Sequence, residues 1–419
     1  MTDILRALSC ADDYDPDALT VTRAGELILS LVQPVAGQER AFIRNALNRV
    51  LGEDVIAPLD VPAHDNSAMD GYALRYADLQ ADAETRLRVA GTAYAGRAYG
   101  GALGPGEALR IMTGAVVPPS LDTVVVQEVV RSEGDGVLVP PGQKKGQHLR
   151  RAGEDLKAGQ PALLAGSLLR PAEIGLLASL GIVEVNLRRR LRVAMFSTGD
   201  ELCSLGKPLG EGEVYDSNRY TLSAMLTRLG CDVLDMGVVR DQPEALEQAL
   251  LSAAASCDAI VTSGGVSAGE ADFIRVMLAK LGQVAFWKLA IKPGRPMAFG
   301  KIGPAWLFGL PGNPVAVMVS FYQFVRPALL RLMGRLPSPL PLFRVPCAVD
   351  IRKAPGRTEF LRGQLFEADG LWRVRPTNAQ GSGILRSMAD ANCFIVLEHQ
   401  RGNIAAGDVV SVQAMEGLV

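Results

Sequence analysis

Histidine is scarce in this 419-residue chain: three occur, at positions 64, 148 and 399. A zinc centre built from histidine and cysteine has too few ligands to draw on. The six cysteines (Cys10, Cys203, Cys231, Cys257, Cys347, Cys393) are scattered, with no C-x-x-C pair. That pattern excludes a disulfide framework and suits reduced, buried thiols in a cytoplasmic protein. Neither sign of charge dominates: 43 basic residues face 45 acidic ones, a formal net charge of −2. General nucleic-acid binding and membrane-surface binding therefore lose support. No apolar run reads as long enough to span a bilayer, and the start MTDILRALSCADDYDPD is too acidic for a secretory signal. The P-loop pattern G-x-x-x-x-G-K-[ST] is missing, and no full G-x-G-x-x-G follows a strand, so nucleotide kinases and dinucleotide dehydrogenases are disfavoured.

What is present is core and punctuation. Hydrophobic residues make up 48% of the chain, enough for packed cores, and the length suggests about three domains at roughly 150 residues each. Apolar spacing near the helical period runs over 20–33 and 38–52. The polar run PAHDNSAMDGYALRYADL (62–79) follows, in which Asp65 and Asn66 suit side-chain-to-backbone turns and Asp70-Gly71 a hairpin corner. Short β-branched pieces from 86 to 139 predict a small, mostly β domain. Thr113, at the end of the strand-like RIMTGA, either caps a turn or faces a ligand. The loop HLRRAGED (148–155) concentrates Arg150, Arg151, Glu154 and Asp155, which a solvated charge run also explains.

From Leu191 strands and helices alternate: LRVAMFS, a helix from about Ser217 to Leu229, CDVLDMGVV, a helix opening at Pro243, then DAIVTSGGVSAGEAD (258–272). This predicts a mostly parallel α/β sheet covered on both faces, with ligands beyond the carboxyl ends of its strands. STGDE, Arg240-Asp241, Ser263-Gly264-Gly265 and LPGNP all fall at such ends. In 258–272 a short strand breaks at Ser263-Gly264-Gly265 before a helical pattern from 273 to 278. That geometry holds anions, although an ordinary tight turn uses the same residues. Ser263 and Ser267 add hydroxyl donors and Asp272 a possible metal ligand. Asn313 and Pro314 suit the cap and first turn of a further helix. After Gly334 a proline-rich linker leads to β alternation over 342–419, read as a compact β-barrel in which Gly381-Ser382-Gly383 marks a turn.

Carboxylates at Glu201, Asp241 and Asp272 suit Mg²⁺, a hard cation that shares oxygen ligands with substrate phosphates. The cations Lys288, Lys292 and Arg295 of WKLAIKPGRP suit an anionic substrate beside them. Lys292 sits in a Pro-Gly loop, where its charge has little core to support.

Seven motifs in order, DNSAMDGYA, RIMTGA, RRAGED, STGDEL, SGGVSAGEAD, KPGRP and LPGNP, resemble the molybdopterin molybdenumtransferase family, which is related to the gephyrin E domain. The resemblance covers nearly the whole chain. It implies a cytoplasmic, Mg²⁺-assisted enzyme that takes adenylylated molybdopterin and molybdate, releases AMP and leaves molybdenum on the dithiolene. It also implies a homodimer with the site between subunits; other cofactor-biosynthesis enzymes are further candidate partners.

The fold implied is multidomain α/β plus β. Residues 1–60 and 145–188 would form a segment-swapped central domain and 61–144 the small β domain. Residues 189–333 would form a doubly wound molybdopterin-binding domain and 334–419 the C-terminal β-barrel. Glu201, Asp241 and Asp272 resemble the acidic, metal-neighbouring set, and Lys288 and Lys292 the oxyanion-facing lysines. Ser263, Gly264 and Gly265 resemble the pterin phosphate loop. Asp65, Thr113, Arg150 and Asp155 resemble contributions across the subunit interface. Ser267, Arg295, Ser382, Pro311 and Pro314 join the substrate-binding positions, the prolines by shaping their loop. One departure is His64, where an apolar or aromatic residue commonly precedes Asp-Asn. Two other readings carry different functions: the sibling molybdopterin adenylyltransferase, which needs neither 1–188 nor 334–419, and a non-catalytic scaffold like the gephyrin E domain.

Overall fold

The computed structural model describes residues 18–264, 280–336 and 340–415. They group into two compact units. One takes residues up to Glu39, Asn48–Val50 and everything from Leu187; the other takes Arg40–Leu47 and Leu51–Asn186.

The first unit holds a six-stranded sheet in the order Asp232–Val239, Arg192–Thr198, Ala259–Ser263, Ala305–Leu310, Pro296–Ile302, Gly282–Lys288. The first four strands are mutually parallel. Pro296–Ile302 and Gly282–Lys288 are then added antiparallel, so the sheet is less uniform than the alternating sequence pattern suggests. Two reversals restore the direction, which brings the Lys288 end of the last strand to the same edge as Thr198, Val239, Ser263 and Leu310. Every residue of Ala259–Ser263 and Ala305–Leu310 is buried, as central strands covered on both faces require.

Helix Ser217–Leu229 starts where expected. Asp216 caps it by accepting the Arg219 N–H, and Gly230, at φ 90°, ends it. Helix Pro243–Ser256 has Pro243 in its first turn and sends Leu246, Leu250 and Ala253 into a core with Ala194, Phe196, Ile260 and Leu307. Pro314 opens the next helix and Asn313 holds its cap position, yet the Asn313 side chain makes no cap hydrogen bond.

That helix runs as Pro314–Ser320, a π turn Phe321–Val325 and Arg326–Leu332. Pro327 cannot donate to the carbonyl four residues back, and the wide turn immediately ahead absorbs the defect. By length and mean hydropathy, 19 residues at 1.3, this helix would pass for a membrane span, which corrects the sequence reading. In the fold 72% of it is buried, as the core helix of a packed domain.

Residues from Phe343 onward form a second sheet. Phe343–Pro346, Val409–Ala414, Cys393–Leu397, Thr358–Ala368 and Leu371–Pro376 pair in succession, all antiparallel. A bridge from Cys347 to Val374 closes the ring. The barrel interior is Val345, Leu361, Val374, Cys393, Ile395 and Val412, with Cys347 beside them. Ile291–Lys292 adds to this sheet in parallel, with Lys292 opposite Glu359.

The second unit contains a six-stranded sheet: Thr123–Val126, Gly71–Leu74, Glu107–Ile111, Thr85–Ala93, Gly136–Val139, Arg131–Glu133. Separate apolar clusters around Ala73, Leu109 and Val124 and around Leu74, Leu87 and Val137 pack its two faces. Helix Pro171–Ser179 begins with the Arg170 N–H donating to Glu173 Oε2 at 2.9 Å.

The helix expected over 38–52 does not form. Gln38–Phe42 is a strand paired with Glu184–Arg188, Ile43–Asn45 is a single 3-10 turn, and Asn48 is left-handed at φ 61°. The Arg49 guanidinium, nearly buried, reaches Glu39 and the Arg188 carbonyl. Long-range pairing thus overrides a propensity worth only tenths of a kcal/mol per residue.

Candidate active site

The carboxyl edge of the parallel sheet gathers most of the chemistry expected from sequence. Glu201 lies three residues beyond Arg192–Thr198 and Asp241 two beyond Asp232–Val239. Ser263 ends its strand, Lys288 ends another, and Pro311 follows Leu310.

The glycine turn is held from beneath. Ser263 is buried, and its Oγ accepts a 2.8 Å hydrogen bond from Asn218 Nδ2. The same Nδ2 donates to the Gly312 carbonyl at 2.6 Å, so one amide ties the glycine turn to the LPGNP loop. Gly264 sits at φ +93°, and a Cβ there would lie 2.4 Å from the Thr198 carbonyl oxygen. Its N–H is committed to the Leu310 carbonyl at 3.1 Å. Gly264 therefore shapes the turn, its own N–H being used within the fold. Gly265, Ser267 and Asp272 lie outside the described residues.

Beside this turn is a cavity of about 530 Å³, lined by Lys292, Arg295, Pro311, Asn313, Arg357, Gln380 and Ser382 among others. Four residues expected from sequence meet here: Lys292, Arg295, Pro311 and Ser382. Pro314 starts the adjoining helix, and the N–H of Val315 donates to the Ser382 carbonyl at 3.1 Å. Lys292, Arg295 and Arg357 give this lining a positive charge, which the Glu359 carboxylate behind Lys292 offsets in part.

Lys292 Nζ is 3.1 Å from Glu359 Oε2; the glutamate side chain is 6% exposed and the lysine 50%. The lysine thus supports a buried carboxylate, contrary to the expectation that its charge has little core to serve.

Three motifs of the second unit are knitted together. Thr113 donates both its N–H and its hydroxyl to Asp70 Oδ1, each at 2.7 Å, and so closes a turn. Those bonds, hydroxyl first, hold the Asp70 carboxyl below its usual range. Arg150 pairs with Asn66 across a short antiparallel ladder. Asp65 accepts from the Ala152 N–H at 2.8 Å and from Arg151 at 2.8 Å. Its pKa is lowered, mainly by the Ala152 hydrogen bond, with Arg151 helping against the effect of burial. Asp155 donates its N–H to the Val61 carbonyl at 3.0 Å. Asp65, Arg150 and Asp155 therefore come together, with Thr113 on the adjoining turn.

Family models match the chain in three consecutive stretches. The MoeA N-terminal region (domain I and II) covers 19–181, a probable molybdopterin binding domain 194–331, and the MoeA C-terminal region (domain IV) 344–415. A molybdopterin molybdenumtransferase of Haemophilus influenzae is 43% identical over 404 residues, 96% of this chain and all of that one. The chain belongs to the molybdopterin molybdenumtransferase (MoeA) family. A Nostoc member is 36% identical over 94% of this chain and 93% of its own. The crystal structure of a molybdopterin biosynthesis MoeA protein from Pyrococcus horikoshii OT3 superposes with a TM-score of 0.82 at 28% identity, covering 95% of this chain and all of that one.

Against this MoeA framework the residues that sequence reading missed are supporting ones. Asn218, Arg357 and Gln380 reach the site from remote parts of the chain and carry no local motif. Asp216, which caps the helix expected from about Ser217, also accepts the Ser197 hydroxyl at 3.0 Å.

Proposed function

We propose that this chain transfers molybdenum from molybdate to the dithiolene of adenylylated molybdopterin, with release of AMP. The observation that carries the reading is the meeting of a glycine turn and a three-cation cavity at one sheet edge. Such an edge suits a substrate with phosphates at one end and a tetrahedral dianion to be received at the other. Lys292, Arg295 and Arg357 would bind molybdate, with Ser382 and Gln380 donating to its oxygens. The turn beyond Gly264 would hold the pterin phosphate.

The same edge is rich in oxygen acceptors. Besides the carboxylates of Glu201 and Asp241, Asp216 Oδ2, Asn218 Oδ1 and Thr198 Oγ1 are buried without a hydrogen-bond partner. That donor chemistry fits Mg²⁺, which Glu201, Asp241 and Asp272 would hold together with substrate oxygens. Bound there, Mg²⁺ would offset the repulsion between adjacent phosphates of the adenylylated substrate. The residues themselves orient the anhydride and keep the oxyanion beside the dithiolene.

We take the working form to be a cytoplasmic homodimer in which Asp65, Thr113, Arg150 and Asp155 complete the partner's site. The four-part division at 60, 144, 188 and 333 is our reading of its domains. Matches to family models on both sides of the molybdopterin-binding region argue against a single-domain adenylyltransferase. The stretch 265–269 also spells G-x-S-x-G, the pattern of hydrolase nucleophiles, but the family-model matches over three consecutive stretches favour the transferase.

The test is incubation with adenylylated molybdopterin, Mg²⁺ and molybdate while AMP release is followed. Molybdate-dependent release is expected. Substrate left intact would overturn the reading.

A further inference from the structure

Beneath the three-cation cavity lies a fourth cation. Arg362 is 1% exposed, in the middle of the strand Thr358–Ala368. Its guanidinium donates to the Gly381 carbonyl at 3.0 Å, to the Ala379 carbonyl at 3.4 Å and to Ser387 Oγ at 3.0 Å. Its backbone holds the same turn from the other side. The Arg362 N–H donates to Gln380 Oε1 at 3.0 Å, and Gln380 Nε2 returns a 3.0 Å bond to the Arg362 carbonyl. Every partner is neutral: among the described residues no carboxylate lies within salt-bridge distance of it. Burial alone depresses its pKa.

A buried guanidinium without a counter-charge is costly and persists where something needs it. A neutral amide could donate to two of these three acceptors without the cost of burying a charge. What only a cation adds is positive potential, largely unscreened because the group is dry. The turn it grips carries Gln380, Gly381 and Ser382, which line the cavity. Three residues earlier on the same strand, Glu359 fixes Lys292 on another wall.

We propose that Arg362 is a positioning residue for oxyanion capture, setting the Gln380–Ser382 turn and adding an uncompensated positive charge under the cavity floor. This rests on reading the cavity as the molybdate site. It does not touch the anion; it acts through the turn and through its field.

The test is direct binding of two tetrahedral anions, tungstate (a dianion) and perrhenate (a monoanion), by calorimetry at low ionic strength. Arg362→Met keeps the volume and removes both fork and charge; Arg362→Lys keeps the charge. For Arg362→Met, tungstate binding should weaken on the order of tenfold or more, as expected for lost charge-assisted bonds. Perrhenate should weaken less, because a monoanion's charge couples half as strongly to the same potential. Arg362→Lys should recover part of the loss. In AMP release, the molybdate KM should rise while kcat at saturating molybdate holds. A merely structural residue would weaken both anions equally and lower kcat as well.

Wild-type affinity for both anions in folded Arg362→Met overturns the proposal. If that variant does not fold, Arg362→Gln, which also removes the charge, decides it, since unchanged tungstate affinity in that folded variant overturns it equally. A wild-type protein that binds neither anion would instead overturn the reading of the cavity, independently of Arg362.

Discussion

Replacing Gly264 by alanine tests how the glycine turn is built. The backbone stands at φ +93°, and the new methyl would meet the Thr198 carbonyl oxygen at 2.4 Å and Thr198 Oγ1 at 3.0 Å. An ordinary contact is 3.4 Å or more, so the turn must shift by roughly 1 Å. Thr198 cannot yield, because it is buried and its strand is paired on both sides. Left-handed backbone costs a residue with a side chain about 1–2 kcal/mol. Overpacking adds about 1–3 kcal/mol. The expected loss is about 2–5 kcal/mol, a large share of the ~5–15 kcal/mol that typically holds a domain.

A displacement of about 1 Å also costs on the order of a hundredfold in turnover. Gly303, at φ +53° with nothing within 4 Å of its Cβ position, is the control: alanine there should show the backbone cost alone. Urea unfolding of both variants, monitored by tryptophan fluorescence, gives the difference, and AMP release on the same preparations gives the functional consequence. Equal midpoints for the two variants, with Gly264→Ala turning over normally, would refute the close-approach argument.

Lys292→Ala should weaken tungstate binding and also destabilise by about 1–3 kcal/mol, because buried Glu359 is left without its donor. The double variant with Glu359→Gln should regain most of the stability but not the binding, as thermal melts and calorimetry would reveal. Asp241→Asn should lower Mg²⁺-dependent AMP release on the order of 10²–10³-fold, with melting temperature as the control; a wild-type rate would remove Asp241 from the site. Glu173 has its pKa lowered to about 2, chiefly by the Arg170 side-chain hydrogen bond. A depressed carboxylate stabilises fully above its unfolded value of 4.5 and loses that contribution as pH falls through about 2. Glu173→Gln should therefore be less stable than wild type at neutral pH, with the gap closing across that window in acid denaturation curves.

The parts of the fold legible in sequence were those set by local chemistry. Pro243 and Pro314 mark helix starts because a proline's fixed φ acts on its own turn. The strand ends carrying Glu201, Asp241 and Ser263 were legible because alternation of strand and helix fixes one edge for all of them. The region 38–52 failed because Phe42, Ala46 and Val50 have helical spacing while the backbone pairs with a strand some 140 residues away. The antiparallel return of Pro296–Ile302 was hidden, since direction within a sheet leaves no trace in apolar content. Arg357, Arg362 and Gln380 were invisible for a related reason: their roles depend on a barrel docking against a loop, and nothing nearby in sequence announces it.

The pairing of Ile291–Lys292 with Thr358–Glu359 makes the cavity a joint property of two gene segments. A fragment ending at Gly334 would keep the glycine turn and Lys288, yet lose Arg357, Gln380, Gly381 and Ser382 together with the carboxylate that steadies Lys292. On the proposed function, pterin binding should survive such a cut and oxyanion binding should not. Recombining α/β domains and barrels between relatives should thus transmit anion preference only when both halves come from one parent.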